Sequence, residues 1–383
     1  MKIIIAPDSL KGSITAIEAA FSIEKGVKNA FPEAETVLIP VADGGEGTMD
    51  TLVSATNGRE VSVGVTGPLG QPINAKYGVL GDKKTCIIEM ATASGLNLIN
   101  DTELNPLKTT TYGTGELIKT ALDEGYRNFI IALGGSATND GGAGMLQALG
   151  IQLLDETNIE IGFGGGELNQ IQKVNLDNFD ERIYDSQFLI ASDVENPLLG
   201  AKGATYVFGP QKGATEKMIQ TLENNLTHWA ELVENLTGKR LHDLEGAGAA
   251  GGLGGSLQAF FPSTIKRGVD VVIEYANLVE HLDHADLVIT CEGQVDFQTV
   301  FGKTPMGVAQ AANTRNVPTI IFAGTVGDNI QALYQYGVIS VHGIINRPMS
   351  LEKAMNKASK LLEQTAEQVC RTYFLDKTVK KDH

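Results

Sequence analysis

Six short apolar runs, each followed at once by a loop of small and polar residues, most constrain how this chain can fold. The runs have the length and the β-branched content of buried strands. They lie at residues 2–6, 36–39, 128–133, 188–191, 287–290 and 319–323. Helical patterns lie between them, such as the one that follows the capping box of Thr15 and Glu18. This alternation predicts parallel α/β units, in which ligands gather outside the carboxyl ends of the strands.

The middle of the chain differs in composition from its two ends. Residues 67–72 are rich in turn formers, and shorter strands are expected at 75–79 and 86–89. We therefore predict an α/β domain made from residues 1–66 and 285–383, into which a second α/β domain of residues 67–284 is inserted.

Charge and hydropathy exclude several classes of partner. The chain has 46 acidic and 30 basic residues, a formal net charge of −16, and no basic stripe, so nucleic acid is not expected to bind. No stretch of about 18 apolar residues is present, which argues against a membrane span. The N-terminus does not read as a signal peptide, and three widely spaced cysteines indicate no disulfide framework. We expect a cytoplasmic protein.

Glycine is unusually frequent, with 44 residues clustered in a few loops. One cluster, Asp43, Gly44, Gly45, Glu46 and Gly47, lies between a predicted strand and a helix that begins near Gly47. A second cluster has the same setting and includes Gly134, Gly135, Ser136, Asn139 and Asp140. Backbone N–H groups at a helix N-terminus favour anions. Both loops are therefore predicted to bind phosphate groups.

Two further glycine patterns lack the neighbouring strand or residue that their motifs require. Residues 246–251 match G-x-G-x-x-G, the mark of a nicotinamide dehydrogenase, but no strand is predicted before them. Gly302, Lys303 and Thr304 resemble the end of a Walker A loop, but Phe297 stands where that loop needs a glycine. Lys303 could still reach a phosphate as a point charge. Lys11 and Lys212 are expected in loops, either as anion contacts or as solvent-exposed lysines.

The predicted strand-end loops also carry seven carboxylates: Asp8, Asp43, Glu46, Asp140, Asp193, Glu292 and Asp296. Phosphoryl transfer to a hydroxyl needs Mg²⁺, which one or two carboxylates hold together with ATP oxygens. It also benefits from an acidic group that accepts the hydroxyl proton. The alternative for each residue taken singly is that it caps the next helix. On these patterns alone, the chain is an α/β enzyme with an anion site.

Ten segments, in order along the chain, resemble the bacterial type I glycerate kinase family. They are APDSLKGS (6–13), PVADGGEGT (40–48), GPLGQP (67–72), IEMATASGL (88–96), TTYGTGELI (110–118), GGSATNDGGAGM (134–145), SDVENPLLG (192–200), FGPQKGA (208–214), GAGAAGGLG (246–254) and FGKTP (301–305). The resemblance implies a flavodoxin-like, or Rossmann-like, parallel-sheet domain formed by both chain ends and an inserted mixed α/β domain. It also implies that the chain uses ATP and Mg²⁺ to phosphorylate D-glycerate, typically giving 2-phosphoglycerate.

One segment departs from the family pattern. The common form is roughly Thr-Gly-Glu-Gly-Arg, then an apolar residue and Asp, whereas residues 290–296 read TCEGQVD. Cys291 replaces a glycine, so that backbone position is expected to be less free. Gln294 replaces an arginine, so a charged anion contact is expected to be lost. The carboxylates Glu292 and Asp296 remain.

The resemblance and the loop positions together select the candidate site residues. Asp193, Asp296 and Glu292 are expected to share catalysis and metal binding, with Asp193 and Asp296 as the Mg²⁺ ligands. Lys11 and Arg267 are candidates for the glycerate carboxylate. The candidates for binding substrate or phosphate are Asp8, Ser9, Lys11, Asp43, Gly44, Gly45, Glu46, Gly47, Gly134, Gly135, Ser136, Asn139, Asp140, Arg267 and Lys303. Phosphorylation at the 3-hydroxyl, a non-catalytic sugar-acid-binding relative and a homo-oligomer are left open.

Overall fold

The protein is an α/β chain, described by a computed structural model over residues 1–301 and 303–375. The described chain divides into two compact units. Unit 1 consists of Met1–Asp43 and the chain from Val269 onward, and unit 2 is Gly44–Gly268. The predicted α/β class is confirmed. The domain limits drawn from the sequence, after residues 66 and 284, stay a prediction. Gly302, in the segment that resembles a Walker A end, lies outside the described residues.

The strands and helices alternate along most of the chain. The strands are β1 (Lys2–Ile5), β2 (Glu35–Leu38), β3 (Arg59–Thr66), β4 (Pro72–Val79), β5 (Thr85–Glu89), β6 (Asn128–Ala132), β7 (Gln152–Leu154), β8 (Lys173–Asn175), β9 (Gln187–Ala191), β10 (Ser263–Lys266), β11 (Leu287–Val295), β12 (Thr319–Val326) and β13 (Val338–Gly343). The helices are α1 (Ala16–Ala30), α2 (Thr48–Ala55), α3 (Ala91–Ser94), α4 (Tyr112–Asp123), α5 (Ala143–Ala148), α6 (Ala204–Phe208), α7 (Glu216–Thr237), α8 (Leu253–Phe260), α9 (Gly268–Tyr275), α10 (Leu278–His281), α11 (Thr304–Asn313), α12 (Leu351–Met355) and α13 (Ala358–Tyr373).

Unit 1 is built on a five-stranded, all-parallel sheet in the order β13-β12-β11-β1-β2. The chain leaves β1 for β2 on one side and later returns to β11 on the other side. This is the flavodoxin-like arrangement, and its topological switch point lies between β1 and β11. Helices α1 and α13 pack on one face of the sheet, and α11 contributes to a second apolar cluster with β11 and β12. The capping box at α1 is confirmed, because Glu18 N–H donates to Thr15 Oγ1 and Thr15 N–H donates to Glu18 Oε2.

Unit 2 contains a six-stranded mixed sheet in the order β10-β9-β6-β5-β4-β3. Strands β5, β6, β9 and β10 are parallel, and β3 and β4 form an antiparallel hairpin that extends the sheet past β5. The α7 side chain Trp229 is fully buried in the core of this unit, and its Nε1–H donates to Gly141 O at 3.1 Å. The carboxyl ends of the four parallel strands lie at one edge of the sheet.

All six predicted strands are present, but two are longer than expected. Strand β11 continues to Val295 and β12 to Val326, because their parallel pairing persists through Glu292 with Ala323 and Gln294 with Thr325. Glu292 therefore lies in a strand rather than in a loop. Ser350 caps α12, which is followed by the separate helix α13. None of the described helices is long and apolar enough to cross a membrane.

Candidate active site

The two strands that flank the switch point of unit 1 each carry a carboxylate at their carboxyl end. Asp8 follows β1, and Glu292 lies on β11. The backbone joins the two segments there, because Asp8 N–H donates to Cys291 O at 3.1 Å and the Cys291 thiol donates to Asp8 O at 3.3 Å. Asp43 lies on the segment after β2, which is held to the segment after β1 by a hydrogen bond from Val41 N–H to Pro7 O.

These three carboxylates influence one another. Burial and, to a smaller extent, the charge of Asp43 raise the pKa of Asp8 to about 6. Burial likewise raises the pKa of Glu292 to about 7, with Asp8 and Asp43 as smaller contributors, although nearby Lys303 opposes the shift. Negative charges crowded in a partly desolvated place favour the protonated acid. A carboxyl group with a pKa near 7 is suited to accept a proton and release it again near neutral pH.

Two lysines bring positive charge to the same strand ends. Lys303 Nζ lies 3.0 Å from Glu292 Oε1, and Lys11 Nζ lies 3.8 Å from Asp43 Oδ2. The Lys11 side chain is 83% exposed, so it can turn towards a bound anion at little cost. The Ser9 amide donates to Asp8 Oδ1 at 2.6 Å and so fixes that carboxylate.

The segment that departs from the family pattern keeps regular backbone geometry. Cys291 is fully buried and pairs with Phe322 in the parallel ladder, where a glycine is not needed. The exposed Gln294 side chain donates from Nε2 to Asp296 Oδ2 at 3.0 Å. Asp296 directly follows β11, and its amide donates to Thr299 Oγ1 at 3.1 Å. The departure therefore changes the charge beside Asp296 and leaves the strand intact.

In unit 2, two of the predicted phosphate-binding loops pack against each other. The Gly134 amide, just after β6, donates to Gly44 O at 3.1 Å. A methyl group at Gly134 would overlap Gly45 Cα, and one at Gly44 would lie 2.8 Å from Ala191 O at the end of β9. The glycines are thus required by close backbone approach at the carboxyl edge of the sheet.

The amides at the start of α2 already have an acceptor in the protein. Glu89, the last residue of β5, accepts hydrogen bonds from Gly47 N–H at 3.2 Å and from Met49 N–H at 3.3 Å. Burial raises the pKa of Glu89 to about 7, although these hydrogen bonds oppose the shift. The Gly47 amide, which was predicted to bind a phosphate, donates to Glu89 in this structure, and its binding of a phosphate stays a prediction. Neighbouring Glu46 is exposed.

Two other residues that were predicted to bind substrate or phosphate are buried in the loop after β6. Asp140 is fully buried and accepts four hydrogen bonds, two from Thr111 and one each from the amides of Gly142 and Gly144. Asn139 is fully buried as well, and its Nδ2 donates to Thr205 Oγ1. Both side chains therefore support the loop from within, and their contact with substrate or phosphate stays a prediction.

Sequence reasoning expected Lys212 in a loop, as an anion contact or solvated, and did not place it among the candidate residues. Its side chain is fully buried, and Nζ donates to Ser136 Oγ at 2.9 Å and to Thr138 O at 2.6 Å. Burial lowers the pKa of Lys212 to about 7, and the nearby charge of Asp140 opposes this shift. The only signal in the sequence is the lysine of the FGPQKGA segment, which gives no indication of burial.

Asp193 and Arg267 occupy neighbouring positions in the same unit. Asp193 follows β9 and Arg267 follows β10, so both lie beyond the carboxyl ends of adjacent parallel strands. Asp193 Oδ1 accepts a hydrogen bond from Gly268 N–H at 2.9 Å. Both side chains are exposed.

The described residues contain no group of three His, Cys, Asp or Glu side chains close enough to hold a metal ion. Mg²⁺ in phosphoryl-transfer enzymes is commonly held by one or two carboxylates together with substrate phosphates. Glu292 Oε2 is buried and has no hydrogen-bond partner among the described residues. A carboxylate oxygen without a partner is suited to coordinate Mg²⁺ or to accept a proton.

The fold and these residues define an α/β enzyme that acts on a small anionic substrate. The model of the glycerate kinase family matches residues 3–374. The chain is 51% identical to a glycerate kinase of Bacillus subtilis, over 99% of both chains. It is 48% identical to the glycerate 2-kinase of Escherichia coli, over 94% of both chains. A crystal structure assigned to glycerate kinase 2 from Salmonella typhimurium LT2 superposes with a TM-score of 0.88, at 45% identity over 99% of both chains. This chain belongs to the glycerate kinase family.

Proposed function

We propose that this chain transfers the γ-phosphoryl group of ATP to the 2-hydroxyl of D-glycerate and releases 2-phospho-D-glycerate and ADP. The observation that carries the proposal is the pair Asp8 and Glu292 on either side of the unit 1 switch point, in a chain of the glycerate kinase family. The name of the Escherichia coli relative, glycerate 2-kinase, supports the 2-hydroxyl. Because the reaction consumes ATP, the cytoplasm is the compartment we propose.

Glu292 is the candidate base for this reaction. The 2-hydroxyl oxygen attacks the γ-phosphorus, the bond from that phosphorus to the bridging β-phosphate oxygen breaks, and the hydroxyl proton passes to a carboxylate. Glu292 has a carboxylate oxygen without a partner, and its pKa near 7 allows the proton to be accepted and returned. Lys303, at 3.0 Å, stabilises the ionised form of the base.

Asp193 and Asp296 are the candidate Mg²⁺ ligands, and Mg²⁺ bound with ATP would neutralise charge on the phosphate oxygens. The loops that contain Gly44 and Gly134 would bind phosphate groups by their backbones. Lys11 and Arg267 are the candidate partners of the glycerate carboxylate, because each is an exposed cation near strand ends.

Phosphorus NMR of the product made from D-glycerate and ATP tests the position of transfer. A 2-phosphoglycerate resonance is expected; a 3-phosphoglycerate resonance would overturn the 2-hydroxyl assignment. Absence of both products and of ADP release would favour the non-catalytic relative.

A coupled ADP-release assay tests the residue roles. The variants Asp193→Ala and Asp296→Ala should each lower kcat by orders of magnitude while the thermal midpoint stays near that of the wild type. Asp185→Ala removes an exposed carboxylate just before β9, at the opposite end of that strand, and serves as a matched control. Near-full activity of both site variants would refute these assignments.

A further inference from the structure

Lys212 is a buried lysine directly beneath a predicted phosphate-binding loop. It ends a single helical turn, Pro210–Lys212, between α6 and α7, and its side chain is 1% exposed. The Nζ atom contacts two acceptors, Ser136 Oγ and Thr138 O. An ammonium group carries three donors, so one N–H has no acceptor among the described residues.

Burying a lysine is costly unless its charge is used. The charged group that faces Lys212 in the described structure is Asp140, since Ser136 and Thr138 present neutral oxygens. Asp140 is itself surrounded by four hydrogen bonds from Thr111, Gly142 and Gly144. The surrounding groups therefore do not fully offset the cost of burying the charge of Lys212 in the absence of a ligand.

Ser136, which is 7% exposed, lies between Lys212 and the exposed Gly135. Its Oγ accepts from Lys212, so the hydroxyl proton remains available for donation in another direction. A hydroxyl that accepts from a cation is a stronger donor, because chains of hydrogen bonds polarise one another. Gly135, the residue before Ser136, is exposed, and the loop extends beyond the carboxyl end of β6.

We infer that Lys212 is a positioning residue that supplies positive charge, through Ser136, to an anionic oxygen bound at the loop of Gly134, Gly135 and Ser136. The inference rests on the proposed function, which brings two such oxygens to the protein: those of the nucleotide phosphates and those of the glycerate carboxylate. Either source would be recognised by the same chemistry.

A bound anion should change the protonation of Lys212. Burial holds the pKa of Lys212 at about 7, so above this pH the lysine is largely neutral. A neighbouring anion favours the charged form and raises the pKa again. Binding above pH 7 should therefore take up a proton, and affinity should fall as the pH rises through this range. Below pH 7 the lysine is already charged, and this uptake should disappear.

Calorimetric titration at pH 8, in buffers that differ in ionisation enthalpy, measures the protons taken up on binding. ADP and D-glycerate are titrated separately, so the two sources of anion are distinguished. We expect uptake of up to one proton with one of them. Lys212→Met should abolish that uptake and weaken the same ligand about tenfold to a hundredfold, the range for a hydrogen bond to a charged group. The matched control, Lys217→Met on the exposed side of α7, should retain both.

Lysine ¹³Cε NMR on the wild-type protein keeps the inference testable if Lys212→Met does not fold. One lysine resonance should titrate near pH 7 in the free protein and at higher pH with the ligand bound. Equal proton uptake in the wild type and Lys212→Met, or no lysine titrating below pH 9, would overturn the inference. Product formation by the wild type tests the proposed function independently. If the wild type is active and Lys212→Met keeps the wild-type proton uptake and affinity, this inference is refuted and the proposed function is not.

Discussion

Replacing Gly134 by alanine tests whether the two glycine loops of unit 2 act as one binding surface. Gly134 does not have a positive φ, so alanine can adopt its backbone conformation. The obstacle is space: the new methyl group would overlap Gly45 Cα and lie 3.2 Å from Gly44 O and Gly45 N. These neighbours are backbone atoms, which cannot turn away as a side chain would.

The size of the effect follows from this overlap. Carbon atoms in contact lie about 3.5–4.0 Å apart, so the loops must separate by about an ångström. Overpacking of this kind costs about 1–3 kcal/mol, which lowers the thermal midpoint of a unit of this size by about 2–12 °C. Displacing a binding group by about 1 Å can reduce a rate about a hundredfold. We therefore expect a moderate loss of stability and a much larger loss of kcat/KM.

The assay is ADP release with D-glycerate, read together with thermal unfolding of the same sample. Gly64→Ala is the matched control, because a methyl group at that position in β3 meets nothing within 4 Å. This control should keep the activity and the thermal midpoint of the wild type. A Gly134→Ala protein with wild-type kcat/KM would show that the packing of Gly134 on Gly45 is not needed for the reaction, and the reasoning would fail.

Three further changes have definite expected outcomes. At saturating substrate, kcat should rise with pH through about 7, because the raised pKa of Glu292 leaves it protonated and unable to accept a proton below that pH. Glu292→Gln should remove this limb of the pH–rate profile along with most of kcat. Removal of divalent cations with EDTA should abolish ADP release but leave the thermal midpoint unchanged. The reason is that the described residues contain no cluster of metal-ligating side chains on which the fold could depend. A protein that unfolds in EDTA would contradict this expectation. Gly26→Ala should cost about 1–3 kcal/mol in urea unfolding, because its methyl group would overlap Glu363 O where α1 packs on α13, while kcat of the folded protein stays constant.

The sequence predicted the inner strands of both sheets well because each is a compact apolar run, whereas the edge strands β3, β10 and β13 were not predicted. Residues 2–6, 128–133 and 188–191 are buried on both faces, as strands covered by helices must be, so no alternation was needed to find them. The ends of β11 and β12 were missed for a physical reason. Glu292 and Gln294 are polar and read as loop residues, yet pairing with β12 extends the strand through them.

The roles of single polar residues were harder to predict, because tertiary contacts decide them. Asp140 and Asn139 lie in a glycine-rich loop that suggests a ligand site, but both point inwards. Glu89 ends an apolar strand, and nothing local indicates that it caps a helix 40 residues earlier in the chain. Nothing in the sequence distinguishes Lys212 from an exposed lysine, because its contacts with Ser136 and Thr138 form only in the folded chain.

The departures at Cys291 and Gln294 bear on whether the chain is a catalyst or only a binder. If Cys291 abolished catalysis through the backbone, β11 would have to be distorted, but Cys291 keeps its parallel pairing with β12. Its thiol also donates to Asp8 O and so links the two segments that carry Asp8 and Glu292. A loss through charge would act at Gln294, yet this amide donates to Asp296 and so still orients that carboxylate. The substitution removes one cation, while Lys303 remains beside Glu292. The structure therefore keeps the carboxylates and the lysine to which we assign phosphoryl transfer in contact with their partners, and weaker substrate affinity is the expected consequence of these two residues.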